Sequence, residues 1–504
     1  MNKNIFSNLF LEFLKKNPKK ELIIDEKTNK RFSWEYSYEL VKNLNVFLKK
    51  YNLKEGDTVV SALPNSVEKV YFFLTCMLFG YNFAPITENF TDDEILNWNK
   101  LTNPKIILLN SVSNTKASFF KSNTQLININ SKFEWLESNN GLSNFSEYNS
   151  KIFIMTSGTT GNPKAIVQNI NNLIYNSKDF CAMHPFVNEK SIFLNYLSMS
   201  YLGGLYNLLI IPITLNSKVV LTSTFSGLTF LNIWKIIERF NINMLWFVPT
   251  IVRGLIRLHR RNASQIKKKI KKIKYSFLGT APIDIDEKIT FEKLFGIKLL
   301  ENFGLSETLF ISTETTKSIK NRKEYCCGTI LPKVETKEVT NKKIGVNEIY
   351  IRSPYIFEGY LLKRNVIKLN FSFKKFFNTG DIGYERGKLL FIKGRNKDII
   401  KKGGFLVNIN ELEKVISEFS EISEVSSIVI DDEYYGENIV LFVTLENRKI
   451  KKDKKEIKIL IYQKLTSKLS KHKWPKELVI LDDLPKTISG KYSKLELKKI
   501  YSNL

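Results

Sequence analysis

The strongest constraint on the fold is a repeated alternation of apolar helices and apolar strands. In residues 32–86 a helical pattern runs from Tyr38 to Leu48, and the segment TVVSAL then predicts a strand. A second apolar helix and a strand that leads toward Pro85 follow. Such an alternation predicts an α/β protein in which helices cover a sheet in layers.

The same alternation recurs along most of the chain. Further strands are predicted by the segments KIILL, KIFIMTS, KSIFLNYLS, KVVLTS, INMLWFVP, KYSFLGTAP and IKLLENFGLSE. Several of them are almost wholly apolar, which is typical of strands that are covered on both faces. Ligands of open α/β sheets gather at the carboxyl ends of the strands, so we expect the functional residues in the loops that follow them.

The organisation of the chain changes after about residue 394. A polar, charged bend is followed by a helix start and by the strand segments VSSIVID, NIVLFVTLE and ELVILDDL. A chain of 504 residues is also too long for a single core. The sequence therefore predicts a large multi-layer α/β domain of residues 1–396 and a small, mobile α+β domain of residues 397–504.

The charge of the chain is strongly positive, at +27, but the lysines are spread over its whole length. The densest basic run, residues 264–277, alternates Ile with Lys and predicts a helix with a solvated basic face that leads into a strand. No aromatic–basic motif of a nucleic-acid site is present, so we expect no nucleic-acid partner.

Several other features have ordinary structural interpretations. The four cysteines form no metal motif and suit a reducing cytoplasm, where we expect the protein. The most apolar segment, SYLGGLYNLLIIPITL, is interrupted by polar residues, glycines and a proline, and it predicts a buried helix rather than a membrane span. The three histidines match no catalytic triad and are interpreted as structural or surface residues.

One polar loop, TSGTTGNPK at residues 156–164, is typical of an anion site. Gly158 and Gly161 let the backbone approach a ligand closely, successive N–H groups favour anions, and Lys164 adds a positive charge. The glycine spacing differs from that of a Walker loop. Taken alone, such a loop is more often a polar surface turn.

Four further motifs follow this loop in a definite order. NFGLSET (residues 302–308) carries Glu307, FFNTGDIG (376–383) carries Asp381, KGRNKDII carries Arg395, and LPKTISGKYSK (484–494) carries Lys491. Taken alone, Glu307 is more often a helix N-terminal acid, Asp381 a turn-former and Lys491 a surface lysine. Taken together, the motifs resemble those of the AMP-forming adenylating superfamily: acyl- and aryl-CoA synthetases, peptide-synthetase adenylation domains and beetle luciferases. The resemblance runs from about Phe32 to Lys498.

The resemblance implies a role for each matched residue in an ATP site. It implies that the phosphates of ATP contact Thr156, Ser157, Gly158, Thr159, Thr160, Gly161 and Lys164. It implies that the nucleotide is further lined by Gly279, Ala281, Pro282, Asn302, Phe303, Gly304 and Ser306. It also implies that Glu307 holds Mg²⁺, that Asp381 accepts the ribose hydroxyls with Arg395 nearby, and that Lys491 bridges the substrate carboxylate and the α-phosphate.

The resemblance further implies a hinge at Lys397 and a thiol-binding face at Gly403, Gly404 and Phe405. The pocket for the acid is expected at Tyr201, Gly203 and Gly204, although many relatives have His in place of Tyr201. The glycine pair either leaves room for a substrate tail or eases helix packing. Other departures are Ala165 and Asn169-Ile170, where relatives often have Gly and Thr-His.

The implied reaction converts a carboxylic acid and ATP into acyl-AMP and pyrophosphate, and then transfers the acyl group to a thiol. CoA is the expected acceptor, and the phosphopantetheine of a separate carrier protein is the alternative. The absence of an Asp near Ser198–Leu205 like that of amino-acid-activating relatives favours an acid without an amino group. A more distant alternative is a non-catalytic nucleotide-binding protein.

Overall fold

The structure is a computed structural model that describes residues 4–86, 92–110, 124–129, 144–156, 164–281, 283–342, 345–361, 367–368, 375–403, 405–446, 454–487 and 491–504. The chain divides into two compact units. The first unit comprises Met1–Glu335 and Arg352–Lys375, and the second comprises Thr336–Ile351 and Phe376–Leu504. Lys397, the predicted hinge, lies within the second unit, and the domain boundary at this residue stays a prediction.

The helices begin and end at local signals in the sequence. They are α1 (Ile5–Lys16), α2 (Trp34–Lys49), α3 (Val67–Phe79), α4 (Asp92–Thr102), α5 (Ile170–Ala182), α6 (Ile211–Thr214), α7 (Gly227–Arg239), α8 (Pro249–His259), α9 (Ala263–Lys269), α10 (Ile285–Phe295), α11 (Ile409–Ser417), α12 (Lys454–Lys468) and α13 (Lys494–Ser502). The side chain of Ser66, for example, accepts the N–H of Lys69 at the start of α3. Gly80 ends that helix at φ 82°, a left-handed conformation that suits glycine.

The strands are β1 (Glu21–Asp25), β2 (Arg31–Ser33), β3 (Thr58–Ser61), β4 (Asn82–Pro85), β5 (Ile106–Asn110), β6 (Gln125–Ile129), β7 (Lys151–Thr156), β8 (Lys164–Asn169), β9 (Ile192–Asn195), β10 (Lys218–Leu221), β11 (Trp246–Phe247), β12 (Tyr275–Leu278), β13 (Lys298–Leu305), β14 (Leu309–Thr313), β15 (Cys326–Ile330), β16 (Glu335–Asn341), β17 (Val346–Arg352), β18 (Gly359–Leu361), β19 (Ile367–Lys368), β20 (Phe377–Arg386), β21 (Leu389–Arg395), β22 (Ile399–Lys402), β23 (Phe405–Asn408), β24 (Ile422–Asp432), β25 (Gly436–Leu445) and β26 (Glu477–Ile480). Each strand predicted from an apolar segment is present, so the α/β prediction is confirmed.

The first unit contains three sheets. The largest has eight strands in the order β19-β18-β8-β7-β4-β3-β5-β6. Its strands β3 to β7 run parallel where they pair, whereas β8, β18 and β19 are antiparallel to their neighbours. A second sheet has the order β2-β1-β10-β9, and a third adds antiparallel β14 and β15 to the parallel strands β11, β12 and β13.

Apolar helices cover these sheets as the sequence predicts. Every residue of α3 except Glu68 is buried. Residues 203–214 of the segment that was predicted as a buried helix are buried too, but Gly203–Ile210 forms a π-helix that continues into α6. π-Helices are rare and often mark functional sites. Within the described part of the chain, no helix has the length and apolar character needed to cross a membrane.

The second unit contains two sheets. One has antiparallel strands in the order β21-β20-β17-β16. The other has the order β23-β22-β25-β24, with β26 parallel to β25. Helices α11 and α12 cover the second sheet through a core that includes Val407, Leu412, Leu441 and Leu465. The predicted small α+β region of the chain is therefore present.

The densest basic run also adopts its predicted conformation. It forms α9 and leads into β12. Ile266, Ile270 and Ile273 are buried, whereas the lysines between them are exposed. The alternation of Ile and Lys thus separates a packed side from a solvated side.

Candidate active site

The glycine- and threonine-rich loop connects two paired strands of the eight-stranded sheet. Thr156 ends β7, Lys164 begins β8, and these two residues are partners in the antiparallel ladder. Ser157, Gly158, Thr159, Thr160 and Gly161 lie outside the described residues, as do the side chains of Thr156 and Lys164. The predicted anion loop is therefore the connection of a β-hairpin, and its contacts stay a prediction.

The turn that carries Glu307 is held against the strand that follows this loop. Gln168 of β8 donates from Nε2 to the carbonyl oxygen of Ser306 (2.7 Å). The N–H of Phe357 donates to the carbonyl oxygen of Glu307 (2.7 Å). The Tyr360 hydroxyl donates to Oε1 of Glu307 (3.3 Å). The half-buried carboxylate is thus fixed both through its main chain and through its side chain.

The pairing of β18 with β8 places Glu307 near the predicted anion loop. Tyr360 is the ladder partner of Ile166, two residues after Lys164, which corresponds to about 7 Å along the strand. Partial burial, together with the neighbouring Glu307 carboxylate, raises the pKa of the Tyr360 hydroxyl. This hydroxyl therefore stays a donor, and one unit of the protein brings a carboxylate close to the end of a phosphate-type loop.

Two residues with side chains adopt left-handed backbone conformations around this turn. Thr280 has φ 77° and Leu309 has φ 57°. Such conformations are strained for β-branched and bulky residues, and they cluster at active sites. Thr280 lies between Gly279 and Ala281, two of the predicted nucleotide-binding residues, so the strain coincides with the predicted site.

The predicted adenine residues lie at the carboxyl ends of β12 and β13. Asn302 donates from Nδ2 to the carbonyl oxygen of Leu278 (2.8 Å). A Cβ atom at Gly279 would lie 2.5 Å from Oδ1 of Asn302, so this position needs glycine. A Cβ atom at Gly304 would lie 2.2 Å from the carbonyl oxygen of Leu309. Phe303 and Ser306 are half-buried nearby along the chain, and Pro282 lies outside the described residues.

The predicted acid-pocket residues lie at the start of the π-helix. Burial raises the pKa of the Tyr201 hydroxyl, which is therefore neutral. A Cβ atom at Gly203 would lie 2.3 Å from the Tyr201 ring. A Cβ atom at Gly204 would lie 2.3 Å from the carbonyl oxygens of Leu197 and Ser198. Gly204 thus permits a close backbone approach, as the packing interpretation of the glycine pair requires.

A buried lysine fixes the segment that carries Tyr201. Lys69 of α3 is 2% exposed. Its Nζ donates to the carbonyl oxygens of Leu63 (2.8 Å) and Ile86 (3.0 Å) and to the Ser200 hydroxyl (3.0 Å). These three bonds use all three donors of an ammonium group and join the ends of β3 and β4 to the residue before Tyr201.

In the second unit, Asp381 and Arg395 are ladder partners on β20 and β21. Arg395 donates from Nε to Oδ1 of Asp381 (3.0 Å). The other carboxylate oxygen, Oδ2, is buried and accepts no hydrogen bond from the described residues. Burial raises the pKa of Asp381, although Arg395 opposes the shift. An unsatisfied buried acceptor of this kind fits the hydroxyl donors of a sugar.

The remaining predicted residues also lie in the second unit. Lys397 lies in a short turn between β21 and β22, where burial lowers its pKa. Gly403 has φ 55° and donates its N–H to the carbonyl oxygen of Tyr435 (2.9 Å), whereas Gly404 lies outside the described residues. Phe405 is exposed and stacks on His472 with ring centroids 4.6 Å apart. The Lys491 side chain is exposed.

Sequence reasoning missed Lys69, Gln168 and Tyr360. Their contacts join residues that are far apart in the chain: 131 positions between Lys69 and Ser200, 138 between Gln168 and Ser306, and 53 between Tyr360 and Glu307. No local pattern marks these residues. The one available signal is the lysine within an apolar helical stretch, which is unusual because a fully buried lysine needs partners.

Comparisons with known proteins match most of the chain to one enzyme family. Residues 10–361 match the family profile described as AMP-binding enzyme, and residues 411–491 match the profile described as AMP-binding enzyme C-terminal domain. The chain is 27% identical to malonate–CoA ligase of Arabidopsis thaliana over 70% of its own length and 61% of that protein. It is 26% identical to oxalate–CoA ligase of the same plant over 88% of each chain. The crystal structure of ATP-bound MatB from Rhodopseudomonas palustris superimposes with a TM-score of 0.85 at 22% identity, over 100% of this chain and 99% of the other.

Proposed function

Because this chain belongs to the AMP-binding enzyme family, we propose that it activates a carboxylic acid with ATP and transfers the acyl group to a thiol, with CoA as the acceptor. The names of the two plant relatives, both acid–CoA ligases, support this proposal. The single structural observation that carries it is the carboxylate of Glu307, fixed beside the strand that follows the predicted anion loop.

The proposed reaction has two steps. In the first, an oxygen of the substrate carboxylate attacks the α-phosphorus of ATP, and the bond to pyrophosphate breaks. In the second, a thiolate sulfur attacks the carbonyl carbon of the acyl-AMP, and AMP leaves. Neither step requires a covalent bond to the protein, in keeping with the absence of cysteine from the matched motifs.

Glu307 is the proposed ligand for Mg²⁺, which neutralises phosphate charge when it is bound. Its half-buried carboxylate is a hard oxygen donor of the kind that Mg²⁺ prefers. No cluster of three His, Cys, Asp or Glu side chains suited to a metal occurs among the residues that the structure describes. Phosphate oxygens and water would therefore complete the coordination, as is usual for Mg²⁺ in nucleotide sites.

The other proposed roles follow the chemistry of each side chain. The free Oδ2 acceptor of Asp381 suits the ribose hydroxyls, and Arg395 orients that carboxylate through Oδ1. Gly279 and Asn302 would line the adenine. Lys491 would stabilise the charge that develops between the substrate carboxylate and the α-phosphate. We further propose that residues 397–504 form the small domain, with a hinge at Lys397 and the thiol approaching past residues 403–405.

The acceptor and the acid can be identified by one screen. Pyrophosphate release is measured over a panel of acids that includes malonate, oxalate, a short fatty acid and benzoate, with and without CoA. We expect release that depends on one class of acid and a CoA thioester as the product. Release without any CoA thioester favours a carrier protein, and no acid-dependent release favours a non-catalytic nucleotide-binding protein.

The free cysteines support a reducing cytoplasm as the compartment for this reaction.

We expect Tyr201→Ala to change the preference among acids more than the KM for ATP. The ring lies against Gly203 at the start of the π-helix, and its removal opens space at the proposed acid pocket. The measurement compares kcat/KM for each accepted acid with the KM for ATP, and Tyr201→Phe serves as the control that keeps the ring. An equal loss for all acids together with a lower melting temperature would instead identify a packing role.

We expect Tyr360→Phe to raise the Mg²⁺ concentration that gives half-maximal activity by roughly three- to tenfold. The loss of this hydrogen bond, which typically contributes about 0.5–1.5 kcal/mol, frees the Glu307 side chain. Activity at saturating Mg²⁺ should recover most of its parent value, because Tyr360 acts on Mg²⁺ binding through Glu307. An unchanged Mg²⁺ requirement would show that Tyr360 does not position Glu307.

A further inference from the structure

Helices α7, α8 and α9 of the first unit combine exposed leucines with a dense run of cations. Leu228 and Leu231 of α7 are 73% and 57% exposed, and Leu258 of α8 is 51% exposed. Residues 253–274 contain ten Lys and Arg and no Asp or Glu. We define the basic leucine patch as these three leucines with seven exposed cations of the same segment: Arg257, Arg260, Arg261, Lys267, Lys268, Lys271 and Lys272.

The contacts between α7 and α8 hold the parts of this patch together. His259 Nε2 lies 2.7 Å from the carbonyl oxygen of Phe230. A Cβ atom at Gly254 would lie 2.2 Å from the Phe230 ring, so glycine permits the close approach of the two helices. Leu231 and Leu258 are the chain neighbours of Phe230 and His259. The exposed leucines therefore flank a fixed helix–helix contact.

Leu228 and Leu231 are not needed to pack α7. The buried face of this helix consists of Thr229, Ile233, Trp234 and Ile237. Leu228 and Leu231 are one helical turn apart on the opposite face, where polar side chains are the usual choice. Single exposed leucines are common on protein surfaces, but three on adjoining helices beside a polybasic segment form a patch of the kind that marks an interaction site.

Acidic groups of neighbouring helices oppose part of the positive charge. Arg253 pairs with Glu287 (2.7 Å), and Lys269 pairs with Glu238 (2.9 Å). The segment retains a large positive excess beyond these two pairs. A partner for the patch must therefore be both anionic and able to accept leucine side chains.

We propose that the basic leucine patch docks on an anionic membrane surface. Leucine on one side and Lys or Arg on the other is the composition of helices that lie at a membrane interface, where the leucines enter the acyl boundary and the cations meet lipid headgroups. Nucleic-acid sites pair cations with aromatic stacking groups rather than leucines. Protein interfaces are enriched in Tyr, Trp and Arg and are depleted of Lys.

The test is flotation of the full-length protein with vesicles of phosphatidylcholine, with or without phosphatidylserine. We expect binding to the anionic vesicles, weak binding to the neutral ones, and a decrease at high salt. Replacing Lys267, Lys268 and Lys271 with Gln should lower the partition constant by about fivefold for each lysine. Replacing Leu228, Leu231 and Leu258 with Ser should lower it by about tenfold or more.

Matched controls separate this surface from a general effect of exposed apolar side chains. The controls are Ile459→Ser and Leu495→Ser in the second unit. The native residues are 58% and 49% exposed, and their replacement should leave vesicle binding unchanged. The patch variants should keep the parent melting temperature, because the replaced side chains are on the surface. Equal binding to neutral vesicles, or leucine variants that bind like the parent, would overturn the proposal. If the parent protein binds no vesicles but forms a dimer that the leucine variants lose, the proposal is wrong and the patch instead contacts a second copy of the chain.

Discussion

Replacing Lys491 with alanine is expected to reduce acyl-AMP formation by roughly 10²–10³, while thioester formation from preformed acyl-AMP stays near the parent rate. A charge contact made only as the carboxylate and α-phosphate react typically contributes about 2.7–4 kcal/mol. In the proposed mechanism, the hinge motion at Lys397 withdraws Lys491 before the second step, which therefore has no such contact. The two rates are measured by following acyl-AMP and thioester separately.

The Lys491→Ala substitution keeps the main-chain hydrogen bonds at this position. The carbonyl oxygen of Lys491 accepts hydrogen bonds from the N–H (2.6 Å) and hydroxyl (3.1 Å) of Thr487, and alanine keeps both. The lysine side chain itself is exposed. Lys498→Ala, an exposed lysine on α13 of the same unit, is the matched control and should retain both rates. Equal loss of both steps in a folded Lys491→Ala protein would contradict the assignment of Lys491 to the first step alone.

Glu307→Gln is the second substitution with a large expected effect. The amide keeps the size of the side chain but loses the charge that binds Mg²⁺, and metal stabilisation of phosphate charge contributes several kcal/mol to such reactions. We expect acyl-AMP formation to fall by about 10² or more with every accepted acid. The measurement is pyrophosphate release over a range of Mg²⁺ concentrations, together with the melting temperature.

Glu35→Gln provides the control for Glu307→Gln. Glu35 is an exposed acid in the first turn of α2, and its replacement should leave turnover unchanged. Near-normal turnover of Glu307→Gln at the parent Mg²⁺ concentration would remove the metal-binding role from Glu307. Because Tyr360→Phe is expected to change only the Mg²⁺ requirement, the two variants together distinguish a ligand from the residue that positions it.

The sequence by itself determined the order of the secondary structure elements and the places of the predicted site residues along the chain. Apolar periodicity predicted α2, α3 and the strands β3 and β4, because the spacing of apolar residues in a helix or strand is visible within a few neighbouring positions. The alternation of Ile and Lys predicted both the buried and the solvated side of the basic run for the same reason. The motifs around Glu307, Asp381 and Lys491 are likewise local and were readable without a structure.

Only the tertiary structure decided which side chains hold those residues in place. Tyr360 reaches Glu307, Gln168 reaches Ser306 and Lys69 reaches Ser200 across 53 to 138 positions of the chain. The π-helix at Gly203–Ile210 also differs from an α-helix by its hydrogen bonding and not by its apolar pattern. The proximity of Leu231 and Leu258 on adjoining helices depends in the same way on the packing of Phe230 against Gly254. The side-chain contacts and the helix contact follow from the pairing of separate segments, and their free energy depends on three-dimensional packing that no short stretch of sequence contains.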